Sequence, residues 1–328
     1  MRRLFLALVL VLTGCSSSSG EVMTFTNPVF TDNFPDPGVI SDGETWYAYG
    51  TNDATANVPL ITSADLVKWS PGGDVLPQLG RWAERGHTWA PEVIRTDAGR
   101  YVLYYTARKA GADRQCVGAA VADSPSGPFA DTSGEALICQ DDEGGAIDAS
   151  PYRHSDGSLY LYWKNDGNHI GEPTHLYAQR LAADGLSLTG ERVRLLTNDK
   201  PWQAHVIEAP QMVTHDGRLY LFYSANAFDS QAYAVGYATC DGPLGPCQDA
   251  AENPILSSSP AAAGPGHSYV VTRPDGSTWM LYHAWPPDAV GSVLPGRQLW
   301  LDRLTWENGR PVVHGPTTSP QPVPGGET

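Results

Sequence analysis

Carboxylates set beside prolines recur along this chain, in Phe34-Pro35-Asp36-Pro37-Gly38, Ile147-Asp148-Ala149-Ser150-Pro151 and Ile207-Glu208-Ala209-Pro210-Gln211. Two related segments carry other groups at the matching place, Thr88-Trp89-Ala90-Pro91-Glu92 and Pro265-Gly266-His267-Ser268-Tyr269. Proline limits the backbone and so holds an adjacent acid in position. Carboxyl groups that converge in a cleft suit glycoside hydrolysis. One stays protonated to help a leaving oxygen depart, and another stays ionised to activate water or attack an anomeric carbon. A third negative charge nearby raises the pKa of the acid and keeps it protonated near neutral pH. A single acid at a strand end would be read as a turn cap or a calcium ligand. Three at corresponding places in a repeat read as a site.

The elements that must position these acids are hairpins. Asp-Gly turns fall at Asp42-Gly43, Asp97-Ala98-Gly99, Asp156-Gly157, Asp216-Gly217 and Asp275-Gly276. That spacing, roughly 55 to 60 residues, is long enough for four strands. Asp-Gly between alternating apolar runs is a strong hairpin signal, because the turn needs positive φ. An aromatic strand follows each turn, as in Trp46-Tyr47-Ala48-Tyr49, Leu159-Tyr160-Leu161-Tyr162-Trp163 and Trp279-Met280-Leu281-Tyr282, and a short strand precedes it. No convincing long helix interrupts the pattern. The period predicts an all-β, five-bladed β-propeller with four-stranded blades spanning residues 25–314, in preference to two β-sandwiches with separate cores. In such a ring the segments ahead of the innermost strands meet at one axial funnel. The Pro-, Gly-, Ser- and Thr-rich stretch 315–328 is expected to be a flexible tail.

Composition narrows the partners. The 328 residues are 41% apolar, 10% aromatic and 17% charged, with a formal net charge of −15. An acidic chain lacks the basic surface that nucleic acid requires. The 10 Trp and 15 Tyr suit sugar-stacking platforms as well as a β-rich core. Arg2 and Arg3 ahead of the apolar run Leu4 to Leu12 make residues 1–14 a signal peptide, too short for a membrane span. Leu12-Thr13-Gly14-Cys15 resembles the bacterial lipoprotein cleavage box, so Cys15 is expected to carry the lipid anchor. Residues 15–24 would be its Ser-rich tether, and export to the cell envelope (or plain secretion without the lipid) follows. Four cysteines then remain. Among three possible connectivities the near pairs Cys116–Cys139 and Cys240–Cys247 are the economical choice in an oxidising compartment.

Together, Pro35-Asp36-Pro37, Trp89-Ala90-Pro91-Glu92, Ile147-Asp148-Ala149-Ser150-Pro151 and Ile207-Glu208-Ala209-Pro210 resemble glycoside hydrolase family 43 over nearly the whole mature chain. The resemblance implies an inverting mechanism, with Asp36 as general base, Glu208 as general acid, and Asp148 raising the pKa of Glu208 and orienting it. Inversion implies carboxyl groups roughly 6.5–9.5 Å apart, leaving room for water. The resemblance further implies that Trp89 and Phe34 flank the sugar and that Arg297 donates hydrogen bonds to its hydroxyls. His267 would lie near a structural calcium held largely through water, since calcium prefers oxygen ligands; no cofactor is required. The implied substrate is a pentose-bearing plant polysaccharide. An α-L-arabinofuranosidase is favoured over a β-xylosidase or an endo-arabinanase. A sugar-binding propeller without catalysis is the alternative of another class, and the three intact acids argue against it.

Overall fold

The computed structural model describes residues 23–326. The leader at 1–14, Cys15 and most of the tether lie outside the described residues. Five antiparallel sheets follow one another along the chain. Blade I holds Gly38–Ser41, Trp46–Tyr49, Pro59–Ser63 and Ser70–Asp74, and blade II holds Ala83–Arg95, Tyr101–Lys109 and Gln115–Ala122. Blade III holds Ala146–Arg153, Leu159–Asn165, His175–Leu181 and Leu188–Thr197. Blade IV holds Ile207–His215, Arg218–Ala225, Ala234–Cys240 and Cys247–Asp249, and blade V holds Ala263–Thr272, Thr278–Trp285, Gln298–Glu307 and Arg310–Val313. The first strand of each blade touches the first strand of the next, and blade V returns to blade I, so the sheets form a five-bladed propeller.

The turns behave as their sequence requires. Gly43, Gly99, Gly157, Gly217 and Gly276 all have positive φ, between 73° and 106°. The aromatic second strands are buried on both faces, as in Leu159–Asn165, where every residue is buried. Each is sandwiched between its own blade's neighbours and the adjoining blade. Five hydrophobic clusters result, one at each blade junction. The cluster between blades I and II joins Tyr49, Val58 and Leu60 to Val93, Leu103 and Tyr105. Fully burying one such side chain stabilises by about 1.5–3 kcal/mol, so the ring is held mainly by these junctions.

Blade II departs from the expected four strands. Its outer edge consists of two isolated bridges, Val117 with Ile138 and Val121 with Ala130. The disulfide Cys116–Cys139 sits at that edge and ties the third strand to the irregular segment. Cys240–Cys247 links directly paired residues of the third and fourth strands of blade IV. Both pairings are the ones the spacing suggested.

The tail is a correction. Gln321–Pro322 pairs with Thr24–Phe25 in a two-stranded ribbon. Gln321 is buried, and its Nε2 donates to Asp302 Oδ1 at 2.7 Å. Asn27 Nδ2 donates to the same oxygen at 3.0 Å, while the Leu301 amide donates to Asn27 Oδ1 at 2.8 Å. Composition predicted disorder for this stretch because its Pro and Gly cannot extend a sheet. Its two-residue ribbon and one buried glutamine suffice to order it against the third strand of blade V.

Candidate active site

The first strands of blades II to V carry a bulge, and blade I bends just ahead of its first strand, each at a residue with a left-handed backbone: Asp36 (φ 57°), Ala90 (45°), Asp148 (56°), Ala209 (52°) and His267 (47°). Non-glycine residues seldom adopt this conformation, and five at corresponding places mark a feature the fold enforces. The bulges also revise the register of the acids. Asp36, Asp148 and His267 occupy the left-handed position, but Glu208 stands one residue earlier, where blade II has Trp89. The longer glutamate side chain reaches the same funnel from the preceding residue.

These residues meet in one cavity of about 390 Å³ lined by Asp36, Thr51, Trp89, Asp148, Lys164 and Glu208, together with Asp166, Phe228, His267 and Arg297. Asp36, Asp148, Glu208, Trp89, His267 and Arg297 are therefore brought together as expected. Phe34 is not: it is 2% exposed and packs edge-on against Phe30 in the core between blades V and I. The side chain just ahead of Pro35 points away from the funnel, and the pocket's phenyl wall is Phe228.

Asp36 has a basic surrounding. Arg297 Nη1 donates to its Oδ1 at 2.7 Å, and Thr51 Oγ1 donates to its Oδ2 at 2.5 Å. His267 Nδ1 and His283 Nδ1 lie 3.4 and 3.3 Å from Oδ1. Burial pushes the Asp36 carboxyl up, but Arg297, His267 and His283 together outweigh it and hold the group well below the ordinary carboxylate value. Asp36 is thus ionised. His283 is driven down to about 3, by burial first and the Arg297 charge second, and is neutral.

Glu208 lies in a different setting. Tyr233 donates to its Oε1 at 2.7 Å, and Lys164 Nζ lies 3.3 Å from its Oε2. Lys164 also lies 3.6 Å from Asp166 Oδ1 and is 1% exposed. Burial, then the neighbouring Glu208 charge, keeps Tyr233 protonated by raising it well above its usual value. The Tyr233 ring stacks on His283, with centroids 5.7 Å apart and an 8° interplanar angle. A Cβ on Gly266 would come within 2.0 Å of that ring, so glycine there lets the tyrosine reach the acid. Asp148 Oδ2 accepts the Ala209 amide at 2.9 Å. Its carboxyl is pushed up to about 6, by burial first and by the Glu208 charge, against His267 and Lys164.

The described side chains of the funnel do not by themselves form a direct shell of ligands for calcium. Among the described residues no group of three His, Cys, Asp or Glu side chains is disposed to hold a metal. His267 aims Nδ1 at Asp36, and the acids are met by Arg297, Lys164, Thr51 and Tyr233 instead. The His267 contact steadies Asp36.

Sequence reasoning missed Lys164, Tyr233, His283 and Thr51. A lysine and a histidine within the buried aromatic strands Leu159–Asn165 and Thr278–Trp285 were the available signal, because such strands have no structural use for a charge. Tyr233 gave none, lying in a loop with no repeat partner.

The glycosyl hydrolases family 43 profile matches residues 25–311. A crystal structure of a thermostable family-43 glycoside hydrolase superposes with a TM-score of 0.83 at 32% identity, covering 92% of this chain and 99% of that one. An extracellular exo-α-(1→5)-L-arabinofuranosidase of Streptomyces chartreusis is 30% identical over 69% of this chain and 69% of its own length. A β-D-galactofuranosidase of Aspergillus niger is 27% identical over 78% of this chain and 75% of its own.

Proposed function

Because the chain belongs to glycosyl hydrolases family 43, we propose that this glycoside hydrolase releases single α-L-arabinofuranose units, with inversion, from arabinan or the branches of arabinoxylan. The observation that carries the reading is the division of labour in one cavity. Asp36 is held ionised by Arg297, while Glu208 faces it beside Asp148, whose carboxyl is pushed up to about 6. Asp36 takes a proton from a water that attacks C1. Glu208 gives its proton to the glycosidic oxygen as the C1–O bond breaks, and Asp148 holds the adjoining backbone and adds negative charge beside the acid. One water is consumed, and the product leaves with the opposite anomeric configuration.

The arabinose preference draws on the likeness to the Streptomyces chartreusis exo-enzyme. The release of single units draws on the cavity, whose 390 Å³ lies at the small end of the ~300–1,000 Å³ usual for ligand pockets. Trp89 and Phe228 offer faces for the sugar ring, and Arg297 offers donors to its hydroxyls.

The test is turnover of aryl α-L-arabinofuranoside against aryl β-D-xyloside, with product profiles on debranched arabinan, arabinoxylan and xylo-oligosaccharides. Faster cleavage of the xyloside makes the enzyme a β-xylosidase, and internal cuts in arabinan make it an endo-arabinanase. Sugar binding without any turnover leaves only the silent propeller. Anomeric configuration followed by NMR tests inversion, and a retained product removes Asp36 from the base role. We further propose that Cys15 anchors the enzyme to the bacterial envelope. An unmodified Cys15 in the mass spectrum of the mature protein, made with its own leader, would overturn that.

A further inference from the structure

Lys164 breaks the five-fold pattern of the ring. The second strands place corresponding residues opposite the bulge: Thr106 pairs with Trp89, Lys164 with Ile147, Ser224 with Glu208 and His283 with Gly266. Thr51, whose amide donates to Pro35 O at 3.0 Å, holds the place in blade I. In four blades this residue accepts the bulge amide of the next blade. Ala90 N donates to Thr51 Oγ1 at 3.0 Å and Asp148 N to Thr106 Oγ1 at 3.1 Å. His267 N donates to Ser224 Oγ at 2.8 Å, and Asp36 N to His283 Nδ1 at 3.2 Å. An ammonium has no lone pair. At blade III the ring bond is therefore lost, and the Ala209 amide turns to Asp148 Oδ2 instead.

A buried lysine is costly unless its charge is met. A threonine or serine at this position would keep the ring intact with no charge to bury, so the fold alone does not call for lysine. What Lys164 reaches is the oxygen of Glu208 that Tyr233 leaves free, and Asp166 Oδ1 beyond it.

We propose that Lys164 is the positioning residue of the acid step: its ammonium is shared with Asp166 while Glu208 holds its proton, and moves onto Glu208 as the proton leaves. The inference rests on the glycosidase reading above. In the step the Glu208 O–H bond breaks, a bond from that proton to the glycosidic oxygen forms, and the C1–O electron pair stays on that oxygen. Lys164 neither gains nor loses a proton; it neutralises the new negative charge on Glu208. The charged and titratable groups facing Glu208 are Lys164 and Asp166 from the second strand of blade III and its turn, His169 from the short helical turn Gly167–Ile170 that follows, and Asp148 from the first strand. Tyr233 faces it from the loop before Ala234–Cys240 and His267 from blade V, with Asp36 and Arg297 across the cavity.

The experiment compares wild type with Lys164→Met, Lys164→Arg and Asp166→Asn on 2,4-dinitrophenyl, phenyl and methyl arabinofuranosides across pH. A leaving group that departs without a proton has no use for the acid. Lys164→Met is expected to lower kcat roughly tenfold or more for phenyl and methyl substrates and under about threefold for dinitrophenyl. The basic limb of its kcat/KM profile moves to higher pH, because removing a cation disfavours the carboxylate. Lys164→Arg restores part of both. Asp166→Asn leaves the ammonium to Glu208 alone, so its basic limb moves to lower pH, the opposite sense. An equal loss for all leaving groups, an unmoved basic limb, or shifts of the same sign in the two variants overturns the proposal while leaving the wild-type glycosidase intact. Should Lys164→Met not fold, Asp166→Asn and Lys164→Arg carry the test. A wild type inactive on every glycoside sinks the parent reading, and this proposal falls with it.

Discussion

Two layers of side chains ring the propeller axis, and both contain buried acids. The catalytic layer is the bulge and the residue before it, bearing Asp36, Asp148, Glu208, Trp89 and His267. Two residues past each bulge lies a second layer: Gly38, Glu92, Ser150, Gln211 and Tyr269. Its members touch one another: Ser150 Oγ donates to Glu92 Oε2 at 2.8 Å, and a Cβ on Gly38 would lie 2.9 Å from Glu92 Cγ and 2.2 Å from Pro91 O. The difference is in the cations. Asp36 has Arg297 and Glu208 has Lys164, whereas Glu92 has a serine hydroxyl. Burial raises Glu92 well above its ordinary value, Ser150 only partly opposing it and the Asp148 charge adding to the rise. Desolvation acts on both layers alike. At Asp36 the Arg297 cation outweighs burial, so that acid stays ionised in the cavity, and there water can be activated.

The comparison is broken most forcefully by neutralising the catalytic layer. Asp36→Asn is expected to lower kcat/KM by ~10²–10⁴ for every substrate, since water activation is needed whatever leaves. Glu208→Gln is expected to cost a similar factor on oligosaccharides and far less on dinitrophenyl glycosides. Steady-state kinetics on the two substrate types checks both.

Removing the cation rather than the acid is the next test. Arg297→Met takes away the strongest opponent of burial at Asp36. The sign is fixed: without that charge the carboxylate is less favoured, so protonation intrudes at higher pH. The acid limb of the kcat/KM profile should move to higher pH, with a larger loss at pH 4 than at pH 7. An unmoved acid limb would mean that the other neighbours of Asp36 suffice without Arg297.

The catalytic layer was more legible in the sequence than its supports. The acids announced themselves because Pro flanks them and because Asp-Gly turns fix the blade register. The periodicity also carried the fold, since each aromatic second strand must be covered on both faces. The one-residue offset of Glu208 was hidden: a bulge adds a residue without changing composition, and glutamate's extra methylene conceals the shift. Phe34 was misplaced because an aromatic next to Pro35 carries no mark of which side of the strand it takes. Lys164 and His283 stood out as polar residues in apolar strands, but their partners lie in other blades, beyond any local pattern. The tail misled because one buried side chain, Gln321, outweighs a composition suited to disorder.

That side chain gives a smaller prediction, on stability. Gln321→Ala removes a donor from Asp302, which also takes hydrogen bonds from Tyr282 and Asn27. Losing one partner of a buried group costs about 1–3 kcal/mol. A lower urea midpoint with unchanged kcat is expected, because the clasp lies at the far side of blade V from the cavity. A loss of kcat without a change in midpoint would contradict that separation.

The smallest effect sharpens the contrast between layers most. Glu92→Gln keeps the shape of the side chain and removes only its ability to ionise. In the folded chain Glu92 is held protonated well above its ordinary value of 4.5, so its contribution to stability is fully present below that pH. It is lost as pH rises through the folded value, because the unfolded chain ionises freely while the folded one must bury the charge or keep the proton. Glutamine carries no such dependence. The melting temperature of wild type minus that of Glu92→Gln should therefore fall steadily as pH rises from about 4.5. The gap closes or reverses by neutral pH, and Ser150 keeps a partner in either protein. If the gap instead widens with pH, Glu92 is ionised and its charge is stabilised in the ring, so the lower layer resembles the catalytic one.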